Sequence, residues 1–369
     1  MKLNEAVQRA TGVPPVAVSG GRLTHWCNFF VQFPATTRQH PKDRRDACPT
    51  IPKTAGGQFP AASFLLRTTW IFIGIATVLF QAACSRGLPV GNGPAGPAVP
   101  REAFARPWTI QPVLLVGLGD SVTAGFGARR GYSYFDRLVK NPPDEFPEMQ
   151  TLCLASVLPH LTAQNFAVSG STSLQHEKQI DRLPVQPPDT LGLVVITTGG
   201  NDIIHDYGRS APREGAMFGA TRDQAQPWIT RFEQRLNSML DHIQQCFPGG
   251  CHIYLANIYD PSDGTGRITT PTISLPPWKD GLSVLAAYNA VIARMTAKRP
   301  TVHLVDIHAA FLGHGVACAS PQNQFYHKND PRYWYFENVE DPNERGYDAL
   351  RRLFLREMAA TLGPSGRKD

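Results

Sequence analysis

Hydrophobic positions alternate between two periods along the second two thirds of the chain. Short unbroken apolar runs predict strands over 113–118, 164–168, 191–197, 251–258 and 302–307. Between them, apolar residues recur every three or four positions. Trp228, Phe232, Leu236, Met239, Leu240 and Ile243 predict a helix over 224–246, and similar spacing predicts helices over 132–140, 282–298 and 347–362, with a short one over 152–158. The run at 191–197 is apolar throughout, as a central strand covered on both faces requires. Strands alternating with helices predict a three-layer α/β sandwich with a five-stranded parallel sheet between helices. Segments 208–223, 260–280 and 312–339 interrupt the alternation and read as binding loops or lids. The last holds Phe325, Tyr326, Tyr333, Trp334, Tyr335 and Phe336, either a wall for an apolar or sugar ligand or rings that pack the loop onto the core.

The first third has a different texture. Residues 1–66 show no sustained period and read as disordered, or as a leader from a mis-assigned start, since Met1 is the only methionine before Met149. Arg67 then precedes an uncharged stretch, 68–85, with an apolar centre at 70–80; residues 67–86 fit a signal peptide or membrane anchor. Gln81-Ala82-Ala83-Cys84 is similar to a bacterial lipoprotein cleavage site, departing from it at Gln81. Export follows as an expectation, with the protein secreted or held at the cell envelope through 68–85 or Cys84. Residues 87–112 are rich in Gly and Pro and predict an extended, non-packing linker. The folded domain is expected over 113–362, with 363–369 a tail.

Net charge is +6, but residues 1–86 hold ten Lys/Arg and three Asp/Glu, so the excess belongs to the leader. The near-neutral remainder offers no footprint for nucleic acid. No phosphate loop, dinucleotide motif or zinc-ligand spacing is present, and neither cofactor nor metal is expected. Of seven cysteines, Cys153, Cys246, Cys251 and Cys318 lie in the body; Cys246 and Cys251 flank a turn and would be either bridged or free, buried thiols.

Candidate chemistry sits where predicted strands end, which is where open α/β sheets place their sites. Gly119-Asp120-Ser121-Val122-Thr123-Ala124-Gly125 sets a serine on a tight turn after the first strand. Such a turn exposes a hydroxyl on rigid backbone, as a nucleophile needs. Downstream come Ala167-Val168-Ser169-Gly170-Ser171-Thr172-Ser173, then Thr197-Thr198-Gly199-Gly200-Asn201-Asp202, then Asp341-Pro342-Asn343-Glu344-Arg345-Gly346-Tyr347. In this order the four blocks resemble those of the SGNH, or GDSL-type, hydrolases, over roughly 113–362.

The resemblance implies an SGNH-hydrolase-like (flavodoxin-like) fold and cleavage of acyl esters, of lipid or carbohydrate, with Ser121 as nucleophile. It also implies an oxyanion hole from the backbone N–H of Ser121, the N–H of Gly170 and the side-chain amide of Asn201. The fourth block departs from the family's Asp-x-x-His: Asp341 stands at the His position and Asn338 at the Asp position. Three possibilities follow. Asp341 serves as base, supported by Asn338 or Glu340; a histidine from elsewhere does so, His327 or His314 first and His205 third; or the site binds without turnover. An acyltransferase is a further alternative within the same chemistry.

Overall fold

A computed structural model describes residues 87–364; the leader, the 68–85 stretch, Cys84 and the last five residues lie outside it. Five parallel strands, β1 (Val113–Gly119), β2 (Leu161–Asn165), β3 (Leu191–Thr197), β4 (Cys251–Ala256) and β5 (Val302–Val305), form one sheet in the order β2-β1-β3-β4-β5. The helices are α1 (Ser121–Ala124), α2 (Tyr134–Val139), α3 (Ser173–Ile180), α4 (Gly200–Ile204), α5 (Arg222–Gln245), α6 (Gly281–Lys298), α7 (Ile307–Phe311) and α8 (Glu344–Leu362). Val113 and Leu115 face a core shared with α2 and α8, while Leu114, Val116 and Leu118 face one shared with α3, α5 and α6. The strand is thus buried on both faces, and an unbroken apolar run is the only pattern that suits it. The three-layer parallel sandwich is present.

Helix starts carry their own signals. Thr221 and Gln224 cap each other reciprocally at the head of α5. The Asn343 side chain accepts from the N–H groups of Arg345 and Gly346 at the head of α8. The expected second short helix at 152–158 is only a 3-10 turn at Leu154–Ser156. The edge strand β2 begins three residues before the predicted run, because its pairing with β1 sets its extent and most of its side chains are exposed.

Residues 87–112 correct the expectation of a non-packing linker. They form an irregular strap with one 3-10 turn, Arg101–Phe104, and bury Ala95, Val99, Phe104 and Trp108 in the core. Ala95 N–H donates to Asp348 Oδ2 at 3.0 Å, and Arg345 reaches the carbonyls of Asn92 and Gly93 at 3.2 Å each. A side chain at Gly96 would meet the Ala349 backbone at 2.7 Å. The small residues that resemble linker composition are what allow this close approach.

Within 312–339, Tyr333, Trp334 and Tyr335 are buried, and Phe311 packs edge-on against the last two. These three rings therefore pack the loop onto the core rather than forming an open wall. The four described cysteines are free and buried, Cys246 and Cys251 included. Among the described residues no helix is long and apolar enough to cross a membrane.

Candidate active site

β1 ends at Gly119 with φ +120°, where a Cβ would lie 2.0 Å from the Thr197 carbonyl oxygen of β3. Only glycine fits there, and it turns the chain sharply out of the sheet. Asp120 caps the following helical turn: its Oδ1 accepts from Val122 N–H at 3.2 Å and from Thr197 Oγ1 at 2.7 Å. Gly125 ends the turn in the left-handed region, and its N–H closes onto the Ser121 carbonyl. Ser121 is thus the first helical residue, half-buried, with an N–H that has no intrahelical acceptor.

The second block is tied to the same strand end. The Gly119 carbonyl accepts from Gln179 Nε2 at 2.8 Å, Ser171 Oγ at 2.9 Å and Val168 N–H at 3.1 Å. Gly170 sits in this loop at φ +78°, exposed, with open space where a Cβ would be. Asn201, on α4 after β3, is buried and donates from Nδ2 to the Ser171 carbonyl at 2.9 Å, leaving its second amide hydrogen available. The three expected oxyanion donors therefore stand at the ends of adjacent strands, at the point where the strand order reverses.

His176, which the sequence pattern did not single out, braces this arrangement. Fully buried, it bonds Ser171 Oγ at 3.1 Å and Thr198 Oγ1 at 3.0 Å, joining the loops of Gly170 and Asn201. Burial pushes its pKa down to about 4, so it is neutral at neutral pH. Asp202 holds the Ser173 N–H and hydroxyl, and Arg235 reaches the same hydroxyl.

The fourth block brings Asp341 to Ser121. Asp341 is 2% exposed; its Oδ2 accepts from Asn338 Nδ2 at 2.7 Å, while its Oδ1 is buried without a hydrogen-bond partner. Burial raises its pKa, and the neighbouring Ser121 hydroxyl and Asn338 amide oppose the rise. Asn338 Oδ1 also accepts the Asp341 N–H, which fixes the turn. Val339 within that turn has φ +59°, a costly conformation for a β-branched residue, of the kind that gathers at active sites.

Two more acids face the same space. Burial first, then the Asp341 and Asp120 charges, raises Glu340 to about 8. Burial first, with Asp341 and Asp202 adding to it against the bonds from Thr197 and Val122, raises Asp120 to about 6.

The histidine alternatives are not brought to the site. His314 is buried between Trp334, with ring centroids 3.5 Å apart, and His327 at 4.7 Å. Its Nδ1 pairs with the Arg332 carbonyl, and exposed His327 pairs through Nε2 with the Leu312 carbonyl. His205 is exposed and faces Asp206. None of the three lines the cleft that contains Ser121. The aromatic loop folds so that its rings stack on one another and on the core, which turns His314 and His327 away.

That cleft, of about 150 Å³, runs from Asp120, Ser121 and Asn201 between the 208–223 and 260–280 loops to Leu282 and Leu285 of α6.

Several solved structures are similar to this chain. An extracellular lipase from Streptomyces rimosus is 16% identical, covering 66% of this chain and 99% of its own, with a TM-score of 0.43. Phospholipase A1 from Streptomyces albidoflavus is 17% identical, covering 67% and 100%, with a TM-score of 0.41. The acetylxylan esterase Axe2 from Geobacillus stearothermophilus is 17% identical, covering 67% and 94%, with a TM-score of 0.42. No curated protein matches the sequence significantly. The family model for GDSL-like lipase/acylhydrolases matches residues 118–349, more than half of the chain and all four blocks, and the chain belongs to that family.

Proposed function

We propose that this protein is a serine ester hydrolase in which Asp341, not a histidine, takes the proton from Ser121. The observation that carries this reading is the buried Asp341 carboxyl beside the Ser121 hydroxyl, with Oδ1 left free where Asn338 bonds Oδ2. A carboxylate is ordinarily too weak a base for a hydroxyl; burial raises its basicity. The Ser121 proton passes to Asp341 as Oγ bonds to the ester carbonyl carbon. The resulting oxyanion meets the N–H groups of Ser121 and Gly170 and the free amide hydrogen of Asn201. Collapse breaks the bond to the alcohol, which leaves with the proton from Asp341. Water, deprotonated by the regenerated carboxylate, then releases the acid from Ser121.

The basic residue, apolar centre and small residues of 67–86 support an exported protein, secreted or held at the cell envelope. Detergent partitioning and the N-terminal residue of the native protein test this: an unprocessed chain recovered from the cytosol refutes it.

A fluorophosphonate probe tests the chemistry. Label is expected on Ser121 and lost in Ser121→Ala. Asp341→Asn is expected to slow both labelling and short-chain ester turnover by about 10²- to 10⁴-fold. An unchanged rate in Asp341→Asn removes Asp341 as the base. Absence of both label and turnover in the wild type identifies a binding protein on a hydrolase fold.

A further inference from the structure

We propose that the cleft beside Ser121 holds a linear aliphatic acyl chain several carbons long, so that the substrate is a fatty-acyl ester rather than an acetyl ester. This rests on the ester-hydrolase reading above and deepens it.

The walls are apolar and already assembled. Ile203, Phe218, Ile268, Trp278, Leu282 and Leu285 come from α4, from both loops and from α6. Trp278 donates from Nε1 to the Ala220 carbonyl at 2.7 Å, and its ring lies 5.1 Å from that of Phe218, which ties the two loops together. A Cβ at Gly281 would sit 2.9 Å from the Trp278 ring, so glycine is what lets the indole lie flat on the start of α6.

The polar groups of the cleft are already engaged within the protein. Thr197 bonds Asp120, and Thr198 bonds His176. The Asn257 amide donates to Asp306, and its carbonyl accepts from His308 N–H. Both oxygens of Asp260 are taken by the Ser262 and Gly264 N–H groups. The exceptions are Tyr207 Oη, buried with no partner among the described residues, and the Glu340 carboxyl, which no side chain bonds. A sugar would leave most of its hydroxyls unpaired against such a wall. Among the described residues no Lys, Arg or His lines the cleft, so an anionic acyl group finds no counter-charge there.

Geometry also distinguishes the acyl from the alcohol side. On the Gly170 side of Ser121, residues Val168, Ser169 and Gly170 are exposed. The alcohol leaves and water arrives through that open side. The acyl group stays bonded to Ser121 and needs the walled side.

The test measures kcat/KM over p-nitrophenyl esters from acetate to dodecanoate, and over acetates of alcohols from ethanol to octanol. The acyl series is expected to rise about fourfold per methylene up to about the octanoate, the ratio that about 0.8 kcal/mol per buried methylene gives. The alcohol series is expected to stay within a few-fold. Alkyl fluorophosphonates should label Ser121 faster as the alkyl chain lengthens. Leu282 is 37% exposed at the cleft rim, so Leu282→Asp is expected to fold and to lower the octanoate-to-acetate ratio at least tenfold. Ser121-dependent turnover that is flat or falls with acyl length, or that rises only with alcohol length, overturns the acyl-chain assignment and leaves the hydrolase reading intact. Absence of turnover and of label across both series refutes the hydrolase reading and this inference with it.

Discussion

Asp120 holds a charge at a cost that can be measured. The residue is 5% exposed, and its pKa rises from 3.8 to about 6. The folded state therefore binds the proton more tightly than the unfolded chain. Below pH 3.8 both states are protonated and folding bears no penalty. As pH rises the unfolded chain ionises first, and the penalty grows until the folded state also ionises near pH 6. Those two values give a penalty of about 1 kcal/mol at pH 4.5 and about 3 kcal/mol at pH 7.5. Asp120→Asn removes the charge without removing the bonds, because Val122 N–H and Thr197 Oγ1 both donate to the same oxygen, Oδ1. The amide oxygen can take that place. Urea denaturation of both proteins at the two pH values is the assay. The variant should gain about 2 kcal/mol on the wild type between pH 4.5 and 7.5. A stability difference that stays constant with pH refutes the reasoning, because a fixed difference reflects packing and not a buried charge.

Three further outcomes follow from the site. Asn201→Ala should lower kcat about 10²- to 10³-fold with KM little changed, since the amide meets a charge present only in the transition state; a raised KM at unchanged kcat would assign Asn201 to substrate binding. Asp341→His puts an imidazole, with an ordinary pKa of about 6.5, where a carboxyl with a raised pKa now faces Ser121. Both bases act deprotonated, so Asp341→His should retain the Ser121 labelling and ester turnover that Asp341→Asn loses, and a His variant as slow as Asp341→Asn would show that position 341 does not take the proton. Gly119→Ala sets a Cβ 2.0 Å from the Thr197 carbonyl and must push β1 from β3, whereas a Cβ at Gly131 meets nothing. Thermal melts should therefore show a much larger loss for Gly119→Ala than for Gly131→Ala, which bears only the cost of positive φ, about 1 kcal/mol.

The legible parts of the chain are those where burial and sequence coincide. β1 and β3 are covered on both faces and must be apolar throughout, so their runs mark them within a residue. α3 gives no comparable signal, because polar His176 and Gln179 stand on its buried face, held by Ser171, Thr198 and Gly119. The strap over α8 reads as a linker because it packs through Gly and Ala, whose contacts leave no hydrophobic period. At the site, Gly119, Gly170 and Gly199 need positive φ, and that requirement is visible as glycines beside Ser121 and Asn201. The base was not legible. Whether Asp341 or a histidine faces Ser121 depends on how a long aromatic loop folds, and nothing local encodes its stacking on Trp334.

An anionic base changes what the rest of the site must do. A histidine that deprotonates Ser121 creates two charges, whereas in the proposed mechanism Asp341 passes one negative charge on to the oxyanion. That migration suits an apolar cleft, and each further anion facing it opposes it, since repulsion grows as water is excluded; Asp120, raised only to about 6, already carries such a charge at pH 7. Glu340 lines the cleft and is raised to about 8, so at pH 7 it is mostly the neutral acid. Raising the pH through 8 ionises it next to the developing oxyanion, and activity should fall. Glu340→Gln keeps the neutral shape at every pH. The wild-type kcat/KM profile is therefore expected to decline above pH 8 and the Glu340→Gln profile to stay level there, with the two rates within a few-fold at pH 7. An alkaline decline of the same size in both proteins would show that the charge at position 340 does not reach the reaction.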